Sequence, residues 1–235
     1  MSISLEGRGL HRSFGGFKAL DGVDIAVEAG QIRGLIGPNG AGKSTLIDVL
    51  SGRADNWGGQ IYLRGEEVTG LKVHERRRRG LARSFQRTNI FPALAVGTQL
   101  TVAARALGNE GLDDVVEALS LGHLLDRPAQ QISYGDQRRL DLALALVGRP
   151  EVLLLDEPAA GLTVEESLQL AAILRDLVKK WGVTVLIVEH DMEVIFSICD
   201  RITVLHLGKV LVDDLPDAIK TNPEVISAYL GSQAP

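Results

Sequence analysis

One cysteine, Cys199, occurs in 235 residues, so no disulfide can form within the chain. That scarcity suits a reducing compartment, and the setting of Cys199 among Ile195, Phe196 and Ile198 predicts an inert core thiol. Neither a second cysteine nor a histidine cluster offers metal-ligand spacing. No uninterrupted apolar stretch approaches the ~18 residues of a membrane span. The first ten residues carry Glu6 with interspersed glycine and arginine instead of an apolar signal core, which predicts no secretory leader. Such a chain would serve a membrane from the cytoplasmic side, docked on other subunits. Positive charge is not in excess either: the net charge is −5. A protein that lives on nucleic-acid phosphates usually carries a basic footprint, so nucleic acid is not an expected partner. The one basic run, Arg76 to Arg79, is local and predicts a solvated helix face.

What is present is a globular composition. Hydrophobic residues make up 45% of the chain, enough for one domain with subdomains around a sizeable core. Residues 3–10, 23–27 and 61–63 read as short strands separated by Gly15-Gly16, Asp21-Gly22 and Gly58-Gly59. Residues 32–36 read as a strand that runs into a glycine-rich turn, with a helix over 43–51. From 89 to 149 the spacing is helical, clearest over 112–119 and at Leu140, Ala143, Leu144 and Val147. Strand and helix then alternate. Residues 152–155, 183–188 and 202–207 are apolar runs, and 164–181 is an amphipathic helix ending at Gly182. Alternation of this kind implies an α/β parallel sheet.

The turn after the strand at 32–36 is Gly37-Pro38-Asn39-Gly40-Ala41-Gly42-Lys43-Ser44, a match to G-x-x-x-x-G-K-[ST]. Glycines let consecutive backbone N–H groups turn inward as an anion nest. The helix that follows points its positive end at the same place. Lys43 adds a charge for the β- and γ-phosphates, and the Ser44 hydroxyl suits Mg²⁺, a hard cation. At average residue frequencies the four fixed positions arise by chance in a chain this long on the order of 1% of the time. A second element completes the pattern: the apolar run at 152–155 ends in Asp156 and Glu157. An aspartate at such a strand end holds Mg²⁺ in P-loop enzymes. Its neighbour can polarise a water for in-line attack on a phosphorus.

These residues together resemble the nucleotide-binding domains of ATP-binding-cassette (ABC) proteins over nearly the whole chain. Ile132-Ser133-Tyr134-Gly135-Asp136 stands where that family has its leucine-serine-glycine-glycine-glutamine signature; Ser133 and Gly135 agree, while Tyr134 and Asp136 depart. Read bottom-up, Ser133 is also a plausible N-cap for the helix through Leu140, with Asp136 three residues on. The resemblance implies that Ser133 and Gly135 grip the γ-phosphate of an ATP held by an opposite subunit. It implies that Gln86 senses Mg²⁺ and the attacking water and links to membrane subunits. It also implies that His190 is a switch near the γ-phosphate, that Phe14 stacks on adenine, and that Thr45 joins the nucleotide contacts. Thr163 stands where many members have aspartate.

The implied fold is α/β: a P-loop NTPase core with a mostly parallel sheet, an N-terminal antiparallel β subdomain and an inserted α-helical subdomain. The expected division places core and β subdomain in 1–88 and 150–214, the helical subdomain in 89–149 and a tail in 215–235, with a helix near 223–230. Expected ligands are ATP and Mg²⁺. Expected partners are a second nucleotide-binding subunit (a paralogue or a second copy), two transmembrane permease subunits and, for an importer, an extracytoplasmic solute-binding protein. Tyr134, residues 158–162 and 188–193, and the ending Ala228-Tyr229-Leu230-Gly231 look like the branched-chain amino acid uptake group. Urea or short-amide importers and a lipopolysaccharide-export subunit share much of this wording. The competing reading is an ABC ATPase without a channel, working on nucleic acid or ribosomes. It usually brings coiled-coil insertions, zinc modules or two cassettes, none of which is visible in the sequence.

Overall fold

The structure, a computed structural model, describes residues 2–84, 89–108 and 111–231. The chain opens with a hairpin of β1 (Ile3–Phe14) and β2 (Phe17–Glu28), turned at Gly15-Gly16, which sets Phe14 opposite Phe17. Both strands run longer than the sequence predicts. The glycines inside them are bulges and not stops: Gly22 (φ 78°) and, in the partner strand β4 (Trp57–Leu63), Gly59 (φ 106°) sit where the pairing register shifts. A methyl on Gly59 would lie 2.6 Å from the Arg8 carbonyl oxygen, so the strands close only over a glycine. With β5 (Glu66–Glu67) these strands make an antiparallel sheet in the order β2-β1-β4-β5.

Between β2 and β4 come β3 (Ile32–Ile36) and α1 (Lys43–Ser51). After β5 follow α2 (Val73–Arg78) and β6 (Leu81–Arg83), then α3 (Val96–Ala106), α4 (Leu112–Ala118) and α5 (Tyr134–Leu146). The rest alternates: β7 (Val152–Asp156), α6 (Val164–Trp181), β8 (Thr184–Val188), α7 (Met192–Ile198), β9 (Arg201–His206), β10 (Lys209–Asp214), α8 (Pro216–Thr221) and α9 (Pro223–Gly231). A second sheet has the order β10-β9-β3-β8-β7-β6, parallel except for β10.

Alternation along its central strands sends side chains to two cores. Val152, Leu154, Leu186 and Val188 face α1 and the antiparallel sheet. Leu153, Leu155, Val185 and Ile187 face the core shared with α3 to α7. The phosphate-loop helix is thus packed between two sheets. Cys199 is buried as expected, its thiol pushed up to about 12 by burial and by neighbouring Asp200. No helix among the described residues is long and apolar enough to cross a membrane.

The arginine run on α2 departs from the expected solvated face. Arg78 and Arg79 are exposed, but Arg76 is only 1% exposed. Its guanidinium donates to the carbonyls of Val49 (2.9 Å), Leu50 (2.7 Å), Thr69 (2.9 Å) and Leu71 (3.1 Å). The carbonyls at the end of α1 carry the negative end of the helix dipole, which is what a buried cation needs. Burial lowers the Arg76 pKa to about 10, leaving it charged at neutral pH. Arg77 donates to the carbonyls of Ala145 (3.0 Å) and Val147 at the end of α5.

Candidate active site

Loops at the carboxyl ends of parallel strands form the natural crevice of an open α/β sheet. Here β3, β8 and β7 lie side by side. The loop after β3 is the glycine-rich segment. Gly37 (φ 149°) lies so close to β9 that a methyl there would stand 2.1 Å from the Leu205 carbonyl oxygen; one on Gly42 (φ 106°) would stand 2.4 Å from that of Ala19. Neighbours hold the loop in place. Gly208 N–H donates to Ala41 O (3.1 Å), Asp21 N–H donates to Gly208 O (2.8 Å), and Tyr229 of α9 lies against the Gly37 backbone. Lys43 is buried and donates from Nζ to Gly37 O (2.6 Å) and Pro38 O (3.0 Å). Burial lowers its pKa, against the opposing pull of Glu157 and Asp156.

A cleft of about 280 Å³ gathers most of the expected nucleotide residues. Phe14, Asn39, Gly40, Ala41, Gly42, Lys43, Ser44, Thr45, Glu157 and His190 all line it. Glu157 Oε1 and His190 Nε2 are 2.7 Å apart at its wall. Glu157 adopts a left-handed backbone (φ 50°) and its N–H donates to Val188 O (2.9 Å), which ties the end of β7 to that of β8. Such a backbone costs a non-glycine residue of order 1–3 kcal/mol. Asp156 behaves differently from its neighbour. It is 4% exposed, accepts from Arg83 Nη2 at 3.2 Å, and has its pKa raised chiefly by burial.

Asp156 Oδ1 is buried and has no hydrogen-bond partner among the described residues. A buried oxygen of this kind is where a cation is wanted. Ser44, the other oxygen donor expected for Mg²⁺, lines the cleft; Mg²⁺ takes one or two protein ligands and completes its shell with phosphate and water. No group of three or more His, Cys, Asp or Glu suited to a metal occurs among the described residues. Gln86 lies outside the described residues.

Ser133 and Gly135 are not brought to this cleft. Ser133 caps α5, accepting from Asp136 N–H (3.1 Å) while its hydroxyl donates to Asp136 Oδ2 (2.7 Å). A methyl on Gly135 would stand 2.7 Å from Glu166 Oε1, so a side chain there would push the Glu166 carboxylate aside. Glu166 and Thr163 form the capping box of α6. Tyr134, which replaces a signature glycine, donates its hydroxyl to Ala160 O (3.1 Å), and Arg138 Nη2 donates to the same oxygen (2.9 Å).

Phe17 escapes the sequence reading, and so does the bridging role of Glu189, which the sequence offers only as an alternative base. Phe17 lines the cleft opposite Phe14, and both rings are largely exposed; only the hairpin register would have revealed the pair. Glu189, 4% exposed, accepts from Ala159 N–H (2.6 Å) and His190 N–H (3.2 Å), so it staples the loop after β7 to the end of β8. A lone acid ending an apolar strand was the available signal.

Comparisons with known proteins agree with this geometry. A family model described as ABC transporter matches residues 20–160, and one described as branched-chain amino acid ATP-binding cassette transporter matches residues 209–235. The chain is similar to the high-affinity branched-chain amino acid transport ATP-binding protein BraF of Pseudomonas aeruginosa, at 39% identity over 97% of each chain. It is similar to LivG of Escherichia coli K12, which carries the same description, at 37% identity over 95% of this chain and 96% of that one. Among solved structures, an ATP-binding cassette of an ABC transporter in its ADP conformation superposes with a TM-score of 0.89 at 28% identity, covering 98% of this chain and all of that one. The chain belongs to the ABC transporter family, as an ATP-binding, ATP-hydrolysing subunit.

Proposed function

We propose that this chain powers an importer of branched-chain amino acids or related small polar solutes, hydrolysing Mg²⁺-bound ATP in the cleft beside Lys43. The observation that carries the hydrolytic part is the Glu157–His190 pair, 2.7 Å apart on the wall of a cleft whose other side is the phosphate loop. The backbone N–H groups of 37–44 cradle the phosphates, and Lys43 leaves its two carbonyl partners for β- and γ-phosphate oxygens. Phe14, joined by Phe17, offers an exposed ring to the adenine. Ser44 and Asp156, with Gln86 by the family resemblance, would hold the Mg²⁺, which would neutralise charge that builds on the phosphates. Glu157 Oε1 accepts a proton from the water that attacks the γ-phosphorus. The bond to the bridging oxygen breaks, ADP keeps the electron pair, and inorganic phosphate leaves. His190 Nε2 holds Glu157 in place for that transfer.

Ser133 and Gly135 lie at a helix N-terminus, an anion-binding position, yet away from their own chain's cleft. This supports a site completed by a second nucleotide-binding subunit. Residues 1–88 and 150–214 then act as the motor, 89–149 passes its opening to two permease subunits, and 215–235 forms the tail. The assembly works at the cytoplasmic face of the membrane and receives solute from an extracytoplasmic binding protein. The names of the relatives and the match over 209–235 support the solute class.

The test is uptake. Cells lacking this chain are expected to lose high-affinity uptake of radiolabelled leucine, isoleucine and valine, with recovery by the wild-type chain but not by Lys43→Ala. Polytopic permeases should copurify with it from membranes. Unchanged uptake of all three would overturn the solute class; copurification with ribosomes instead would overturn the transporter.

A further inference from the structure

Two adjacent residues of α2 hold the carboxyl ends of two helices far apart in sequence. Arg76 reaches the last carbonyls of α1, at Val49 and Leu50. Arg77 reaches Ala145 O and Val147 O at the end of α5. Successive side chains on a helix leave it about 100° apart, so one short helix addresses two directions at once. Both grips are favourable: a guanidinium faces orphan carbonyls that also form the negative end of a helix dipole.

What these two helices present at their opposite ends makes the arrangement functional. α1 begins at Lys43 and the phosphate loop; α5 begins at its cap, Ser133. Near that cap α5 is tied to the β7–α6 loop, where Ala160 O accepts from Tyr134 and Arg138. The inner face of α5, with Leu140, Ala143 and Leu146, rests on the core, and a tie at each end sets the direction in which the helix points. Arg77 supplies the second tie, and through Arg76 the same short helix is anchored to α1.

We propose that Arg77 is a positioning residue for ATP hydrolysis: it sets the direction in which Ser133 and the first N–H groups of α5 point, relative to the phosphate loop of the same chain. The inference rests on the reading that these groups complete a second subunit's site. Hydrogen bonds weaken steeply as their angles depart from linear, so a pivoted α5 would meet a phosphate poorly even at the right distance. The chain's own nucleotide contacts, made by α1, would be unaffected.

The experiment combines equilibrium ATP binding with steady-state hydrolysis on the full chain. Arg77→Ala is expected to keep the ATP dissociation constant within about twofold and to lower kcat about tenfold. Arg77→Lys should recover most of that loss, because one ammonium can serve both carbonyls. In a Ser133→Ala background, Arg77→Ala should cost little more, since a residue that acts through Ser133 has nothing left to position. Unchanged kcat in Arg77→Ala, parallel loss of ATP binding, or fully additive effects with Ser133→Ala would each overturn the inference. If Ser133→Ala itself leaves turnover unchanged, the shared-site reading fails and this inference with it. A Ser133→Ala defect beside an inert Arg77→Ala removes this inference alone.

Discussion

Glu157 Oε1 and His190 Nε2 stand 2.7 Å apart although 33 positions separate them in sequence. The parallel pairing of β7 with β8 makes the contact: Asp156 is in register with Val188, so Glu157 and His190 leave the sheet at the same edge one and two residues later. A carboxylate aimed by an imidazole is the arrangement a general base needs, geometry before acidity.

Glu157→Gln should therefore keep ATP binding and lower turnover by about 10²-fold or more, the usual scale for a positioned general base. An ATP-dependent dimer should accumulate in size-exclusion chromatography. His190→Ala should also lower turnover, by less, because Glu157 keeps its charge and loses only its orientation. Hydrolysis at the wild-type rate in Glu157→Gln would hand the proton transfer to another group, and Glu189, close enough to feel the charge of Glu157, is the acid to test.

Lys43→Ala removes the one cation that the phosphate loop holds over its own carbonyls. Isothermal titration should show ATP binding weakened by about tenfold or more, the scale of a charge-assisted phosphate contact. Equal affinities would take the loop out of the mechanism.

Asp156 links stability to pH. Its folded-state pKa is raised, first by burial, so the fold holds a proton on it more tightly than the unfolded chain does. That contribution to stability is fully present below the ordinary aspartate range and is lost as pH rises from there through the raised value. Glu189, also raised by burial, acts in the same direction. Asp156→Asn should raise Tm of the nucleotide-free chain at neutral pH and flatten this slope, while abolishing the effect of Mg²⁺ on nucleotide affinity. A lowered Tm in Asp156→Asn would mean that the Arg83 ion pair outweighs desolvation.

Arg76→Met removes a donor from four carbonyls, of which Val49 O keeps the Gly52 N–H (3.1 Å). A loss of about 2–4 kcal/mol is expected for buried acceptors left bare, or roughly 5–15 °C in Tm for a chain of this size. Arg78→Ala, one turn position away and exposed, should stay within about 0.5 kcal/mol of wild type. Thermal unfolding followed by circular dichroism separates the two.

The site was legible where its chemistry is contiguous. Residues 37–44 carry their own geometry, since each glycine answers a local backbone requirement, and the Asp156-Glu157 pair announces itself by charge at the end of an apolar run. The architecture followed from alternation of strand and helix. Legibility failed where partners are distant and are backbone. Nothing in the run of four arginines distinguishes Arg76, because the groups that bury it are carbonyls 26 and 27 positions upstream and 5 and 7 positions upstream. A bulge and a turn use the same residue, so in the sequence Gly22 and Gly59 look like strand ends. Phe17 was invisible until the hairpin register set it across from Phe14.

The left-handed backbone at Glu157 sets the fold and the chemistry at odds in one residue. Glycine or asparagine would sit there with less strain. Selection for heat tolerance alone would reward such replacements and discard the acid, since stabilising changes often come at the expense of function. A library sorted only by melting temperature would therefore drift toward robust binders that hold ATP and never release the machine.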